Sequence, residues 1–133
     1  MKRREQLLEL SREHYGALKL ARDAQRAAES GEPEEVAALA QRVIQAFPAG
    51  LEAHFCVEEK GILVLLAQAG THELAARTRA DHAELRRLAK SLATPDADTL
   101  LRFADLLSAH VRFEEREVFE AAQETMATSQ AQP

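Results

Sequence analysis

The sequence predicts an all-α fold, an antiparallel up-down-up-down four-helix bundle. The chain of 133 residues is rich in Ala, Leu, Glu, Arg and Gln and has only five glycines and four prolines, which favours helix. Apolar residues recur at the helical period in four stretches that glycine, proline and capping residues separate. We expect one domain over residues 1–126 and a frayed Ser/Gln/Pro-rich tail over 127–133.

The first helix should run from about Arg4 to Ser30, because Gly31 is a typical stop signal. Its inward stripe follows the 3.6-residue period and should include Leu18 and His14. Pro33, followed by two acidic residues, suits the first turn of the second helix.

Pro48 lies inside the second helix and removes a backbone donor, so a kink or short break is expected near residues 45–48. Gly70 should end this helix, and Thr71 should cap the next one, which runs to about Leu92.

The fourth helix should follow Thr94 as its N-cap and Pro95 as its first residue, and end near Thr125. The third helix should also present a solvated basic face, formed by Arg77, Arg79, Arg86, Arg87 and Lys90.

A His-x-x-x-Glu-Glu phrase occurs twice, in residues 51–63 and again in residues 107–119. His54 and Glu58 in the first copy, like His110 and Glu114 in the second, share one helix face because they are four residues apart. That face is otherwise apolar, and burying such polar groups there is costly unless a partner such as a metal satisfies them.

His14 and His82 join these two pairs at one height of the bundle. In an antiparallel hairpin, residues equidistant from the turn lie at the same level, and the midpoints between successive histidine positions fall close to the three predicted turns. The predicted metal ligands are therefore His14, His54, Glu58, His82, His110 and Glu114.

Four imidazoles and two carboxylates, without a cysteine ligand, suit iron, manganese or zinc. Six ligands exceed the needs of one tetrahedral zinc, so two metals bridged by Glu58 and Glu114 fit the count better.

His72 should be an exposed end residue. Cys56 is interpreted as packing, Tyr15 as lying near the site or at a helix interface, and Glu59 and Glu115 as either solvated or partners of the ligands.

Four segments of the chain resemble the hemerythrin-like (HHE cation-binding) domain family, and the resemblance covers nearly the whole chain. They are Ser-Arg-Glu-His-Tyr at His14, His-Phe-Cys-Val-Glu-Glu at His54, Ala-Asp-His-Ala-Glu-Leu at His82 and His-Val-Arg-Phe-Glu-Glu at His110. The resemblance implies a hemerythrin-like bundle with a non-haem di-iron centre bridged by an oxo or hydroxo group, and chemistry with dioxygen, nitric oxide or peroxide.

The chain departs from the oxygen-carrying hemerythrins at two positions. Those proteins have a His-x-x-x-His pair on the third helix and an aspartate on the fourth. In this chain Arg86 takes the place of the second histidine, four residues after His82, and Glu114 takes the place of the aspartate. The departure argues against reversible oxygen carriage. It predicts one open position on each metal, in a pocket whose wall includes Val57 and Phe113.

Two functions therefore remain as hypotheses. The first is a di-iron protein that binds or reduces a small ligand, and the second is a module without turnover for iron storage or sensing, or a zinc-filled structural bundle. Neither nucleic acid nor membrane is an expected partner, because the net charge is −5 and no apolar run is long enough to span a bilayer. One cysteine fits a reducing, cytoplasmic location, and the sequence names no protein partner.

Overall fold

The computed structural model describes the backbone of residues 5–131 and the side chains of residues 5 and 7–128. Within that range the chain is helical and forms four long bundle helices, as predicted. The first is α1 and the third is α5, whereas the second and fourth are each built from shorter segments. The α-helical segments are α1 (Glu5–Ser30), α2 (Pro33–Ala46), α3 (Ala53–Lys60), α4 (Ile62–Gln68), α5 (His72–Ser91), α6 (Ala97–Phe113) and α7 (Phe119–Ala131).

The turns lie where glycine and proline predict them. Gly31 and Gly70 adopt φ angles of 68° and 94°, in the left-handed region that favours glycine after a helix. Pro33 occupies the first turn of α2. Thr71 is the N-cap residue of α5, as predicted, but its side chain makes no capping hydrogen bond, because its hydroxyl donates backward to the carbonyl of Leu66 at 2.8 Å.

The fourth bundle helix begins two residues later than predicted. Asp96, not Thr94, is the N-cap of α6, and its carboxylate accepts hydrogen bonds from both the backbone N–H and the hydroxyl of Thr99. At the other end α7 continues to Ala131, past the expected end near Thr125. Residues 1–4 and 132–133 lie outside the described residues, so the proposed limits of domain and tail stay predictions.

Two π-helical segments interrupt the α-helices near the centre of the bundle. The first, Phe47–Glu52, contains Pro48, so the expected irregularity near residues 45–48 takes the form of a wider turn. The second, Glu114–Val118, was not predicted. The second bundle helix is also irregular at the matching position of the first His-x-x-x-Glu-Glu phrase. That position is Gly61, where φ and ψ are −112° and −95°.

The buried apolar side chains form two clusters, one on each side of the level of His14. The larger cluster includes Leu85, Phe103 and Leu107, and the smaller one includes Leu63 and Phe119. Leu18, predicted to face inward, lies at the edge of the α1 stripe and is 36% exposed, while Ala17 and Leu20 face the core. The predicted ligand level therefore lies between two apolar layers.

Leu63→Ala should destabilise the fold by about 2–5 kcal/mol, since the side chain is fully buried and its loss leaves a cavity. Val64→Ala is the matched control, because Val64 is the next residue of α4 and is 40% exposed; its change should stay within about 0.5 kcal/mol. Denaturant unfolding of both variants measures the difference. Equal unfolding midpoints would contradict the assignment of Leu63 to the core.

No helix among the described residues is long and apolar enough to cross a membrane.

Candidate metal centre

Six buried polar side chains meet at one level between the two apolar clusters. They are the predicted set, each at most 5% exposed: His14, His54, Glu58, His82, His110 and Glu114. Their donor atoms form two groups, each with all donors within 4.8 Å of one another. One group holds His14 and His54, the other holds His82 and His110, and both contain Glu58 and Glu114.

Glu58 lies between the two groups with one oxygen toward each. Its Oε2 is 3.1 Å from Nε2 of His54, and its Oε1 is 3.0 Å from Nε2 of His82. Glu114 also spans the groups, with its Oε1 at 3.1 Å from Nε2 of His14 and 3.2 Å from Nε2 of His110. Each carboxylate thus contacts a histidine of each donor group.

Most of these inward-facing atoms make no hydrogen bond, although several lie at hydrogen-bond distance from one another. The buried atoms without such a partner include Nε2 of His54, His82 and His110, both oxygens of Glu58, and Oε2 of Glu114. Leaving one buried polar atom unpaired costs about 1–3 kcal/mol. A shared cation satisfies such lone pairs together, so the donor set fits a metal.

The outward nitrogen of each histidine contacts a carboxylate from another helix. Nδ1 of His14 lies 2.6 Å from Glu115, that of His54 2.8 Å from Glu13, that of His82 2.7 Å from Glu59, and that of His110 3.0 Å from Asp81. These four acids are named the outer carboxylates. In the neutral imidazoles, with the carboxylate as acceptor, each Nδ1 carries the proton and each Nε2 presents its lone pair to the centre.

The outer carboxylates form a closed ring around the bundle. Glu13 on the first helix bonds a histidine of the second, Glu59 on the second bonds one of the third, Asp81 on the third bonds one of the fourth, and Glu115 on the fourth bonds one of the first. The open question about Glu59 and Glu115 is thus answered, because both are partners of predicted ligands.

Glu13 and Asp81 were not predicted, although the sequence holds a signal for them. Each directly precedes a site histidine, in Glu13-His14 and Asp81-His82, just as Glu59 and Glu115 directly follow site glutamates. A neighbour in sequence is rotated by about 100° around the helix, which points it at the adjacent helix instead of the centre. An acidic residue next to a predicted ligand in the sequence therefore indicates an outer carboxylate.

Arg86 stabilises part of this ring and does not belong to a solvated basic face. Its guanidinium donates Nη1 and Nη2 to the two oxygens of Glu59 at 3.0 and 3.1 Å, while Nε donates to Glu52 at 2.7 Å. Burial raises the pKa of Glu59, but Arg86 and His82 more than offset this and lower it overall. Cys56 is half-buried, and its thiol donates to Oε1 of Glu52 at 3.8 Å, so its role as a packing residue stays a prediction.

The metal-free centre attracts protons. Burial alone would lower the pKa of His54, but Glu114, Glu58 and Glu13 together raise that pKa to about 11. Burial likewise opposes the charge of His110, whose pKa Asp81 and Glu114 nonetheless raise to about 9. Burial and the neighbouring Glu114 raise the pKa of Glu58. A centre that gathers protons in this way carries the negative field that a cation requires.

Aromatic rings close two sides of the centre. Phe55 stacks on His82 with ring centroids 3.9 Å apart, and Phe119 stacks on His14 at 5.2 Å. On a third side a cavity of about 480 Å³ reaches the centre, where His14, His54, His110 and Glu114 line it. This cavity gives the centre access from the surface.

The predicted pocket wall was wrong. Val57 is 59% exposed, because it lies on the outer side of α3, and Phe113 is buried in the smaller apolar cluster. Neither residue lines the cavity, whose apolar wall is formed by other side chains such as Leu51 and Leu107. Tyr15, expected near the site or at a helix interface, is 79% exposed. His72 is exposed, as predicted.

Comparison with known protein families gives one match. The profile of the hemerythrin HHE cation binding domain matches residues 7–122, which include all six converging side chains and all four outer carboxylates. Neither the curated proteins nor the solved structures gave a match. Because the match spans most of the chain and the buried donors fit a cation, the chain belongs to the hemerythrin HHE cation-binding domain family.

Proposed function

We propose that this protein holds a non-haem di-iron centre and binds and reacts with a small ligand, namely dioxygen, nitric oxide or peroxide. The observation that carries the proposal is that Glu58 and Glu114 belong to both donor groups, so two ions would share them. His14 and His54 would complete the first site, and His82 and His110 the second.

The donor chemistry supports iron or manganese over zinc. Imidazole and carboxylate ligands suit iron and manganese, and a two-ion site with shared carboxylates is typical of such bundles. A structural zinc site takes four ligands in a closed tetrahedron, fewer than this centre offers. Bound iron would supply two redox-active ions side by side, each able to change by one electron.

The protein's own residues prepare the centre for an added ligand. The outer carboxylates fix the tautomer and orientation of all four imidazoles, which lowers the cost of placing donors around a metal. Arg86, at the position of a second histidine on the third helix, is held by Glu52 and Glu59 and adds no donor to the centre. The donor count therefore leaves room for external ligands.

The cavity favours a reactive or ligand-binding centre over a purely structural one. A structural zinc site has no need of solvent access, whereas four of the six donors line an opening from the surface. Metal storage or sensing without turnover remains the second candidate function. A cytoplasmic location is part of the proposal, supported by the single half-buried thiol.

Nitric oxide should bind to the anaerobically reduced iron protein with up to two molecules per iron pair, since each ion would have one position without a protein donor. Iron analysis followed by titration under an optical spectrum tests this expectation. Zinc-loaded protein is the control and should show no spectral change. A stable, reversible dioxygen adduct without nitric oxide uptake would contradict the proposal and favour oxygen carriage instead.

A further inference from the structure

The cavity beside the centre is much larger than a diatomic ligand or a peroxide requires. Its volume is about 480 Å³, whereas one water accounts for about 30 Å³ of liquid and an apolar cavity of about 150 Å³ is enough to bind benzene. The floor is polar, made by His14, His54, His110 and Glu114, and the wall includes Leu20 and Leu107. This is the usual composition of a pocket for a small organic molecule.

Two glycines at this cavity have no structural reason to be glycine. Gly31 and Gly70 have positive φ, and a Cβ at Gly61 would lie 3.0 Å from the carbonyl oxygen of Val57. Gly16 and Gly50 have neither feature, since φ is not positive and nothing lies within 4 Å of an added Cβ.

Each of these two glycines nevertheless lies inside a helical segment, where glycine is destabilising relative to alanine. What Gly16 and Gly50 share is the cavity, which both line from different bundle helices at its exposed side. The absence of side chains at these two positions widens the opening to the centre.

The charges at the opening do not select an anion. Arg42 donates to Asp23 at 2.8 Å, and Arg12 lies 3.5 Å from Glu9, so each guanidinium has a carboxylate partner. Glu13, also at the opening, is engaged by His54. An apolar wall, a polar floor and a balanced rim together suit an uncharged molecule with one polar end.

We propose that the cavity binds an uncharged organic molecule with a body about the size of a benzene ring and one oxygen-bearing end, such as an alcohol or hydroperoxide, directed at the metal centre. Gly16 and Gly50 form its gate. The inference rests on the proposed function for the identity of the cavity floor, and it narrows the ligand class from any small oxygen compound to an organic one.

Binding of 4-fluorobenzyl alcohol to zinc-loaded protein, followed by fluorine NMR, tests the inference without any redox step. The wild-type protein should show saturable binding. The Gly16→Leu/Gly50→Leu variant should bind at least about tenfold more weakly, because two leucines fill the opening. Ala49→Leu/Ala83→Leu is the matched control, since both alanines are exposed helical residues that do not line the cavity, and it should bind like wild type.

The outcomes separate this inference from the proposed function. Absence of saturable binding to a folded protein, or equal binding to the gate and control variants, would overturn the inference. If the double variant melts early by circular dichroism, the single Gly16→Leu and Gly50→Leu variants replace it and should each weaken binding. Normal probe binding to a protein that takes up no iron would overturn the proposed function alone.

Discussion

Glu58→Ala and Glu114→Ala should each leave the protein nearly free of metal. Each carboxylate belongs to both donor groups, so its removal would take a ligand from both ions of the proposed pair. It also leaves histidine nitrogens at 3.0–3.2 Å without their acidic neighbour, which removes negative charge from a buried site. We expect the loss of affinity to exceed the roughly 10–100-fold that changes outside the ligand shell typically cause.

Glu59→Ala and Glu115→Ala are the matched controls, one residue further along the same helices. Toward the centre, these acids contact the outward Nδ1 atoms of His82 and His14, so their loss loosens a ligand without deleting one. Glu59 also accepts hydrogen bonds from Arg86, and Glu115 accepts one from Ser11. Metal content by elemental analysis, after loading and dialysis against a weak chelator, ranks the four variants. Equal metal content in all four would contradict the assignment of Glu58 and Glu114 as shared ligands.

Much of the fold follows from local patterns in the sequence. Helix ends at Gly31 and Gly70 were predictable because glycine adopts the positive φ found there more readily than other residues, and Pro33 marked the first turn of α2. The π-helical segments were harder, since a widened turn such as Glu114–Val118 leaves the order of apolar residues almost unchanged. Capping at Asp96 instead of Thr94 depends on which of two neighbouring oxygen-bearing side chains meets a free N–H, and composition does not decide that.

The convergence of the six central side chains was also predictable, because stripe position and distance from each turn are properties of sequence alone. Residues at the edges of a stripe were not. Leu18 and Val57 are apolar, yet their exposure depends on how close the neighbouring helix lies. Two of the four outer carboxylates, Glu13 and Asp81, were missed for the same reason: they look solvated on their own helices and gain a role only from a histidine on the next one.

Metal affinity should rise steeply with pH, by about 100-fold per pH unit between about pH 6 and 8. The reason is that His54 and His110 have pKa values of about 11 and about 9 in the metal-free centre, so both carry an extra proton across this range. Each proton must leave before the imidazole binds, and each proton displaced contributes a factor of about ten per pH unit.

The sign is the same from the side of the metal-free protein. A raised histidine pKa stabilises that protein fully below the ordinary value of 6.5, and the stabilisation is lost as pH rises through about 9 and then about 11. Rising pH therefore destabilises the protonated, metal-free protein, which competes with the metal complex, and so favours metal binding. Histidines of ordinary pKa would instead give an affinity that levels off above about pH 7.

Zinc competition titrations at several pH values measure the slope, and calorimetry in buffers of different ionisation enthalpy counts the protons released. Asp81→Asn is the matched control. It keeps an oxygen that can accept from Nδ1 of His110 but removes the charge that helps to raise the pKa of that histidine. The variant should release close to one proton fewer near pH 8. A metal affinity of the wild-type protein that does not change with pH would contradict the prediction. It would show that the imidazoles of the metal-free centre are already neutral and that the central carboxylates hold no protons there.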